Sequence, residues 1–177
     1  MIWRERDLRI NQIYDSLPFP NFVGLASKLL AFTLVHVVLL LFIMFIGIYI
    51  QTLIVYTQYE FGIYLSKLFT ETFFFLMLWT ILALFVQTKV NYKFLGHGMM
   101  ILFFIIVTFV LNEVGLEHNM FAFGSGSLGE YSDMNSFQLN AVGFSWLQFY
   151  WFGFVFIIFS LAVAFSVRGT DTILKTR

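Results

Sequence analysis

Long hydrophobic runs, separated by short polar stretches, dominate the chain. Four such runs cover residues 29–56, 68–88, 95–112 and 143–167. About 20 predominantly apolar residues in a helix cross a hydrocarbon layer about 30 Å thick, and all four runs are close to that length or exceed it. Inside lipid, every backbone N–H and C=O must find a partner within its own segment, so each run is expected to be helical. The pattern therefore predicts an all-α, polytopic membrane protein with about four transmembrane helices.

Composition favours the same class of protein. The chain is 60% hydrophobic and 11% charged, with a mean hydropathy of +0.86, whereas about 25% of residues are charged in soluble domains. A net charge of zero is not typical of nucleic-acid-binding proteins, so no nucleic-acid partner is expected. The chain has no cysteine, which excludes disulfides and thiolate metal ligands. The lipid bilayer is the expected environment.

The basic residues predict an orientation for the helices. With the N-terminus in the cytoplasm, nine of the ten Lys and Arg residues fall in inner segments, and Lys67 is the exception. Cytoplasmic loops of membrane proteins carry an excess of Lys and Arg. Both termini, including the tail 168–177, are therefore predicted to be cytoplasmic. The long outer loop, 112–142, contains acids, glycines and serines but no Lys or Arg.

Residues 1–28 are predicted to form a cytoplasmic amphipathic helix followed by an elbow. Apolar residues recur on one face at helical spacing, and charged residues crowd the first turns. Pro18 and Pro20 would end that helix, and Asn21 is predicted to cap a short helix that leads to Lys28. Periodicity alone leaves two interpretations open, which are a helix lying among lipid headgroups and a docking helix for a cytoplasmic partner.

Few residues in the sequence suggest chemistry. Residues 124–129 read GSGSLG, but G-x-G-x-x-G binds a dinucleotide only between a strand and a helix, so a flexible turn in an exposed loop is expected. His36 and His97 both lie toward the inner leaflet, where hydrogen-bonded imidazoles are favoured over a haem site. Glu117 and His118 are adjacent, and neighbouring positions point in different directions, which weakens an acid–base pair. We predict no catalytic residue, cofactor or metal site.

Charged side chains are expected only near the ends of the spans. Glu71, Lys93 and Glu113 all fall close to predicted boundaries. This placement disfavours a transporter that relays protons through carboxylates inside the membrane. The sequence also contains no G-x-x-x-x-G-K-[ST] motif, so any ATP-driven activity requires another subunit.

Several stretches of the chain resemble one family of membrane proteins. The segment from Trp3 to Ala31 resembles the cytoplasmic coupling segment of ABC-2 type transporter permeases, in which an Arg/Glu-rich helix, a Pro turn and a Ser-Lys or Gly-Lys pair occur in this order. Ser27 and Lys28 match that pair. Four further stretches resemble the permease portion of Bacteroidota proteins that join an ABC permease to an M1-family aminopeptidase: NYKFLGH (91–97), LEHNMF (116–121), YSDMN (131–135) and VRGT (167–170).

The resemblance implies a permease subunit, or a fragment of one, in an ATP-driven transporter of the ABC-2 type. Its expected partners are a separate ABC-type ATPase subunit and a second permease half or further copies of the chain. The coupling helix would contact the ATPase through Arg4, Glu5, Arg6, Asp7 and Arg9. The outer loop would form the extracytoplasmic gate region or a structural hydrogen-bonded cap, with Glu117, His118, Asn119, Tyr131, Asp133 and Asn135 as candidates.

The chain departs from that family in two respects. The family has six spans in each half, whereas this sequence starts at the segment that corresponds to the coupling helix, so a four-span portion of a longer permease is expected. The sequence also contains no HExxH motif, so aminopeptidase activity is not expected. The main alternative is a membrane anchor or interaction module without transport. A membrane enzyme that uses Glu117, His118 or haem is less favoured.

Overall fold

The computed structural model describes residues 20–55, 58–90, 92–115 and 118–166, and this part of the chain contains helices and no strands. Four of the helices are long and apolar enough to cross a membrane. This confirms the prediction of an all-α chain with four span-like helices. The predicted coupling helix, with Arg4, Glu5, Arg6, Asp7 and Arg9, and the tail 168–177 lie outside the described residues. The helices are α1 (Asn21–Leu53), α2 (Phe61–Lys89), α3 (Lys93–Val110, continued by Leu111–Glu113) and α4 (Gln138–Phe165).

The first helix begins well before the predicted span. It starts at Asn21 and passes through Lys28 without a break, and its N-cap is Pro20. Proline suits this place because its ring fixes φ near the helical value and it has no N–H to leave unpaired. The side chain of Asn21 instead donates from Nδ2 to the carbonyl oxygen of Ser166 at 3.0 Å. The prediction that Asn21 caps the helix is therefore wrong.

The second helix also begins earlier than predicted. It starts at Phe61, and its residues Leu65–Thr72 are π-helical. The Thr72 hydroxyl donates to the carbonyl oxygen of Lys67, five residues earlier, at 3.1 Å. Lys67 and Glu71 consequently lie inside a long helix, Phe61–Lys89, and not near its end. Segments of π-helix are rare and are frequent at functional sites.

The second helix is the centre of the bundle. It packs along α4 and also contacts α1 and α3. The buried core consists of Leu78 from α2, Trp151 and Val155 from α4, and Phe123 from the segment that precedes α4. Along α1 and α3, most large hydrophobic side chains are exposed on the isolated chain. In a membrane, such surfaces suit contact with lipid or with further helices.

Side-chain contacts join three helix ends on one side of the bundle, which we call the inner side because the sequence predicts it to be cytoplasmic. Besides the bond from Asn21 to Ser166, the ammonium group of Lys89 lies 3.6 Å from the centroid of the Phe165 ring. This distance is short enough for a cation–π interaction. The start of α1, the end of α2 and the end of α4 are thus linked.

Candidate functional site: the re-entrant outer segment

The segment between α3 and α4 returns into the helix bundle. Phe123, at the tip of this outer segment (residues 118–137), is only 5% exposed. Its ring centroid lies 5.5 Å from that of Trp79 on α2 and 5.2 Å from that of Trp151 on α4. Trp151 is about 20 Å along α4 from its first residue, at about 1.5 Å per residue. The chain therefore places irregular backbone well below the outer end of α4.

The contacts of Phe123 fix its ring on three sides. A third neighbour, Phe103 on α3, lies 5.8 Å from it between centroids. The rings of Trp79 and Trp151 meet Phe123 edge-to-face, at interplanar angles of 82° and 75°. Aromatic pairs prefer this arrangement and contribute about 0.5–1.5 kcal/mol each beyond the burial of their area. Phe123 thus joins α2, α3 and α4 in one aromatic core.

Two glycines allow the strap, which we define as residues 122–129, to enter between α2 and α4. Gly124 has φ +74°, and a Cβ atom there would lie 3.3 Å from the ring of Phe75 on α2. Gly126 has φ +134°, and a Cβ atom there would lie 3.1 Å from Leu147 on α4. Side chains are disfavoured at such φ values, so glycine is required for both conformation and space. Gly124 and Leu128 are buried, so the expectation that this stretch lies in an exposed loop is wrong at these two positions.

A carboxylate on α2 holds the strap. Oε2 of Glu71 accepts a hydrogen bond from the backbone N–H of Leu128 at 3.0 Å and another from Nζ of Lys67 at 2.9 Å. Leu128 is buried, and a buried N–H without a partner is costly, so the carboxylate supplies an acceptor that the strap needs. The same ammonium group of Lys67 lies 5.6 Å from the ring centroid of Phe137. One ion pair on α2 therefore contacts the outer segment at two places.

The sequence analysis did not single out Glu71 as a functional residue. The spacing of Lys67 and Glu71 is that of an ion pair within a helix and is visible in the sequence. Its partner Leu128 follows 57 residues later, and no local pattern connects the two positions. The buried position of Phe123 has no local signal either, since nothing distinguishes it from the exposed Phe121 nearby.

The predicted gate residues lie on the surface of the outer segment. Glu117 is outside the described residues, and the other candidates are exposed: His118, Asn119, Tyr131, Asp133 and Asn135. Their contacts are local. The backbone N–H of Met120 donates to Nδ1 of His118 at 3.2 Å, and the Tyr131 ring meets Phe137 at 5.3 Å between centroids. The structure does not bring these side chains together around one point, and their role as a gate stays a prediction.

Neither of the two histidines in the spans takes part in a metal cluster among the described residues, where no group of three or more His, Cys, Asp or Glu side chains could hold an ion. Nδ1 of His97 lies 2.6 Å from the carbonyl oxygen of Lys93 and 3.4 Å from Nε2 of Gln87. Nδ1 of His36 is buried and has no hydrogen-bond partner within the described part of the chain. His97 is exposed and contacts its own helix and Gln87 on α2, whereas the expected hydrogen bond is absent at Nδ1 of His36 among the described residues.

The polar atoms near the strap are not all satisfied. Trp79 and Trp151, both in ring contact with Phe123, each have a buried indole N–H without a hydrogen-bond partner among the described residues. The core around Phe123 thus contains two donor groups as well as apolar surface. Removal of Phe123 would take away a ring contact from both indoles.

Comparisons with protein-family models, with characterised proteins and with solved structures found no match to this chain.

Proposed function

We propose that this chain is a membrane-spanning permease subunit, or a portion of one, in an ABC-2 type ATP-driven transporter. The proposal rests on the resemblance of the sequence to such permeases and on the four span-like helices. The observation that carries it is the re-entrant outer segment. A simple anchor needs only its spans, whereas irregular backbone buried among membrane helices is typical of channels and transporters.

The proposed partners are those that the resemblance implies, and the chain's charges and exposed apolar surfaces suit them. The coupling helix predicted from the sequence would dock on a separate ATPase subunit at the cytoplasmic face, through Arg4, Glu5, Arg6, Asp7 and Arg9. The exposed apolar faces of α1 and α3 suit lipid and a second permease half, or another copy of this chain. In this arrangement both termini are cytoplasmic and the strap faces the opposite side of a bacterial inner membrane.

A second candidate function is a membrane anchor or interaction module without transport. The observation that favours it is the filled interior, where the rings of Phe123, Trp79 and Trp151 occupy the space between α2 and α4. Four helices packed in this way do not by themselves enclose a pathway. In a transporter, the pathway would then lie at an interface with another chain.

Charge reversal in the predicted coupling helix distinguishes the two functions. The double variant R4E/R6E changes the surface proposed to meet the ATPase but none of the four spans. We expect it to insert into the membrane normally and to lose the co-purifying ATPase. A matched control, K175E/R177E, reverses two charges in the tail and should keep the ATPase bound. Equal recovery of the ATPase with both variants would contradict the proposed coupling surface.

A further inference from the structure

The contact between Glu71 and Leu128 connects the strap to α2 through a charged group. We infer that Glu71 is a latch, whose ionised side chain holds the strap in its closed position between α2 and α4 and whose neutralisation releases the strap. This inference concerns a conformational change within the chain. It applies equally to a permease and to an anchor, so it does not depend on the proposed function.

The latch is built on one carboxylate oxygen. Oε2 of Glu71 accepts hydrogen bonds from both Nζ of Lys67 and the backbone N–H of Leu128. Hydrogen bonds to an ionised group are shorter and about twice as strong as those between neutral groups. The charge of Glu71 therefore determines how firmly the strap is held.

The two residues of the ion pair lie in a part of α2 that has its own stabilising hydrogen bond. Lys67 and Glu71 both belong to the π-helical part of α2, and the Thr72 hydroxyl bonds to the carbonyl oxygen of Lys67. The ammonium group of Lys67 bonds to the carboxylate of Glu71 and also lies 5.6 Å from the ring centroid of Phe137. This contact with Lys67 helps to orient the carboxylate.

The remaining hydrogen bonds of the strap are local. Among the described residues, the hydroxyl of Ser125 donates to the carbonyl oxygen of Asn119, and Oγ of Ser127 accepts from the backbone N–H of Gly129. These bonds shape the outer segment but do not attach it to a helix. Within the described part of the chain, the hydrogen bond that attaches the strap to a helix is the one from Leu128 to Glu71.

Loss of the carboxylate would favour the open position for a simple reason. Leu128, which carries this N–H, is buried and only 7% exposed. Without an ionised acceptor, that N–H is left with a weaker partner or none, and it recovers its full hydrogen bonding only when the strap moves out to water. Leu128 lies five positions after Phe123. Outward movement of Leu128 would therefore also displace Phe123 from the aromatic core.

Cysteine accessibility tests the latch directly because the chain contains no cysteine of its own. L128C places a reporter thiol in the buried strap, and M134C places a reference thiol at a residue that is 98% exposed. Each is combined with E71Q, and with E130Q as a matched control that neutralises an exposed acid of the same segment. The readout is the rate of labelling by a membrane-impermeant maleimide on the purified full chain.

We expect E71Q to raise the labelling rate of the L128C reporter about tenfold, equivalent to about 1.4 kcal/mol. The labelling rate of the M134C reference should not change, and E130Q should change neither rate. An unchanged rate for the L128C reporter in the E71Q background would overturn the inference.

A second variant keeps the test decisive if E71Q disrupts the whole fold, as a loss of cooperative thermal unfolding would show. K67Q leaves the carboxylate in place without its ammonium partner. We expect K67Q to raise the labelling rate of the L128C reporter, because the carboxylate loses the ammonium group that helps to orient it. The factor should be smaller than in E71Q, because the carboxylate keeps its charge and its bond from Leu128. No rise at all in K67Q would overturn the latch.

Discussion

Phe123 and Trp151 lie edge-to-face, with their ring centroids 5.2 Å apart, although one belongs to a loop and the other to the middle of α4. This pair shows that the outer segment is part of the packed bundle and not an external connection. Because Phe123 also contacts α2 and α3, one side chain from the loop packs against three helices.

F123A should destabilise the protein strongly. Truncation of a buried Phe leaves a cavity and costs about 3–5 kcal/mol. We expect a clear fall in the midpoint of thermal unfolding, followed by tryptophan fluorescence, since two of the neighbouring rings are indoles. The control is F121A, two residues earlier, where the side chain is 59% exposed and the change should stay within about 0.5 kcal/mol. Equal effects of the two variants would contradict the buried position of Phe123.

G126A should also destabilise the protein, for a different reason. An alanine at this position must adopt the unfavourable φ of +134° and place its Cβ 3.1 Å from Leu147, and such strain costs about 1–3 kcal/mol. The matched variant is G143A in α4, where a Cβ meets nothing within 4 Å. Alanine is the better helix former there by about 1 kcal/mol, so G143A should be neutral or stabilising. Denaturation of both variants under identical conditions gives the comparison.

N21A should weaken the inner end of the bundle. The substitution removes the hydrogen bond from the side chain to Ser166, and such a bond contributes about 0.5–1.5 kcal/mol. Ser27, also on α1, bonds within its own turn, to the carbonyl oxygen of Gly24, so S27A serves as the control. We expect N21A to lower the unfolding midpoint more than S27A. The opposite order would show that the contact between α1 and Ser166 does not stabilise the fold.

The pair Lys89 and Phe165 should show a measurable coupling energy. With the ammonium group 3.6 Å from the ring centroid, a cation–π interaction is worth about 0.5–2 kcal/mol, depending on its exposure to solvent. A double-mutant cycle with K89Q, F165L and the combined variant isolates this value from other effects of each substitution. A coupling energy indistinguishable from zero would mean that the two helix ends are not joined by this contact.

The sequence predicted the number and type of the helices because long apolar runs are a sufficient signal for membrane spans. It did not predict where α1 and α2 begin. The amphipathic stretch from Phe61 to Thr72 mixes apolar and polar residues, and the sequence pattern did not separate a π-helical extension of α2 from a surface loop. Likewise, Pro20 was expected to precede a cap at Asn21 but itself occupies the cap position.

The candidate site was less predictable than the fold. Helices that are apolar on all sides give no periodic signal that separates the packed face from the lipid face, so the core positions Leu78 and Trp151 were not evident. The burial of Phe123 and Leu128 depends on contacts with residues more than 20 positions away in sequence. The gate candidates of the outer loop were predicted from the resemblance, whereas the packed part of that loop is the glycine-rich strap.

The central claim is that the chain works as the membrane subunit of an ATP-driven transporter. The most direct measurement is the identity of the proteins that remain bound when a tagged full-length chain is purified in mild detergent from the membranes of its source organism. The account predicts recovery of an ATPase with a Walker A motif, alone or with a longer permease chain. Recovery of the tagged chain alone, under conditions that preserve its cooperative unfolding, would contradict it.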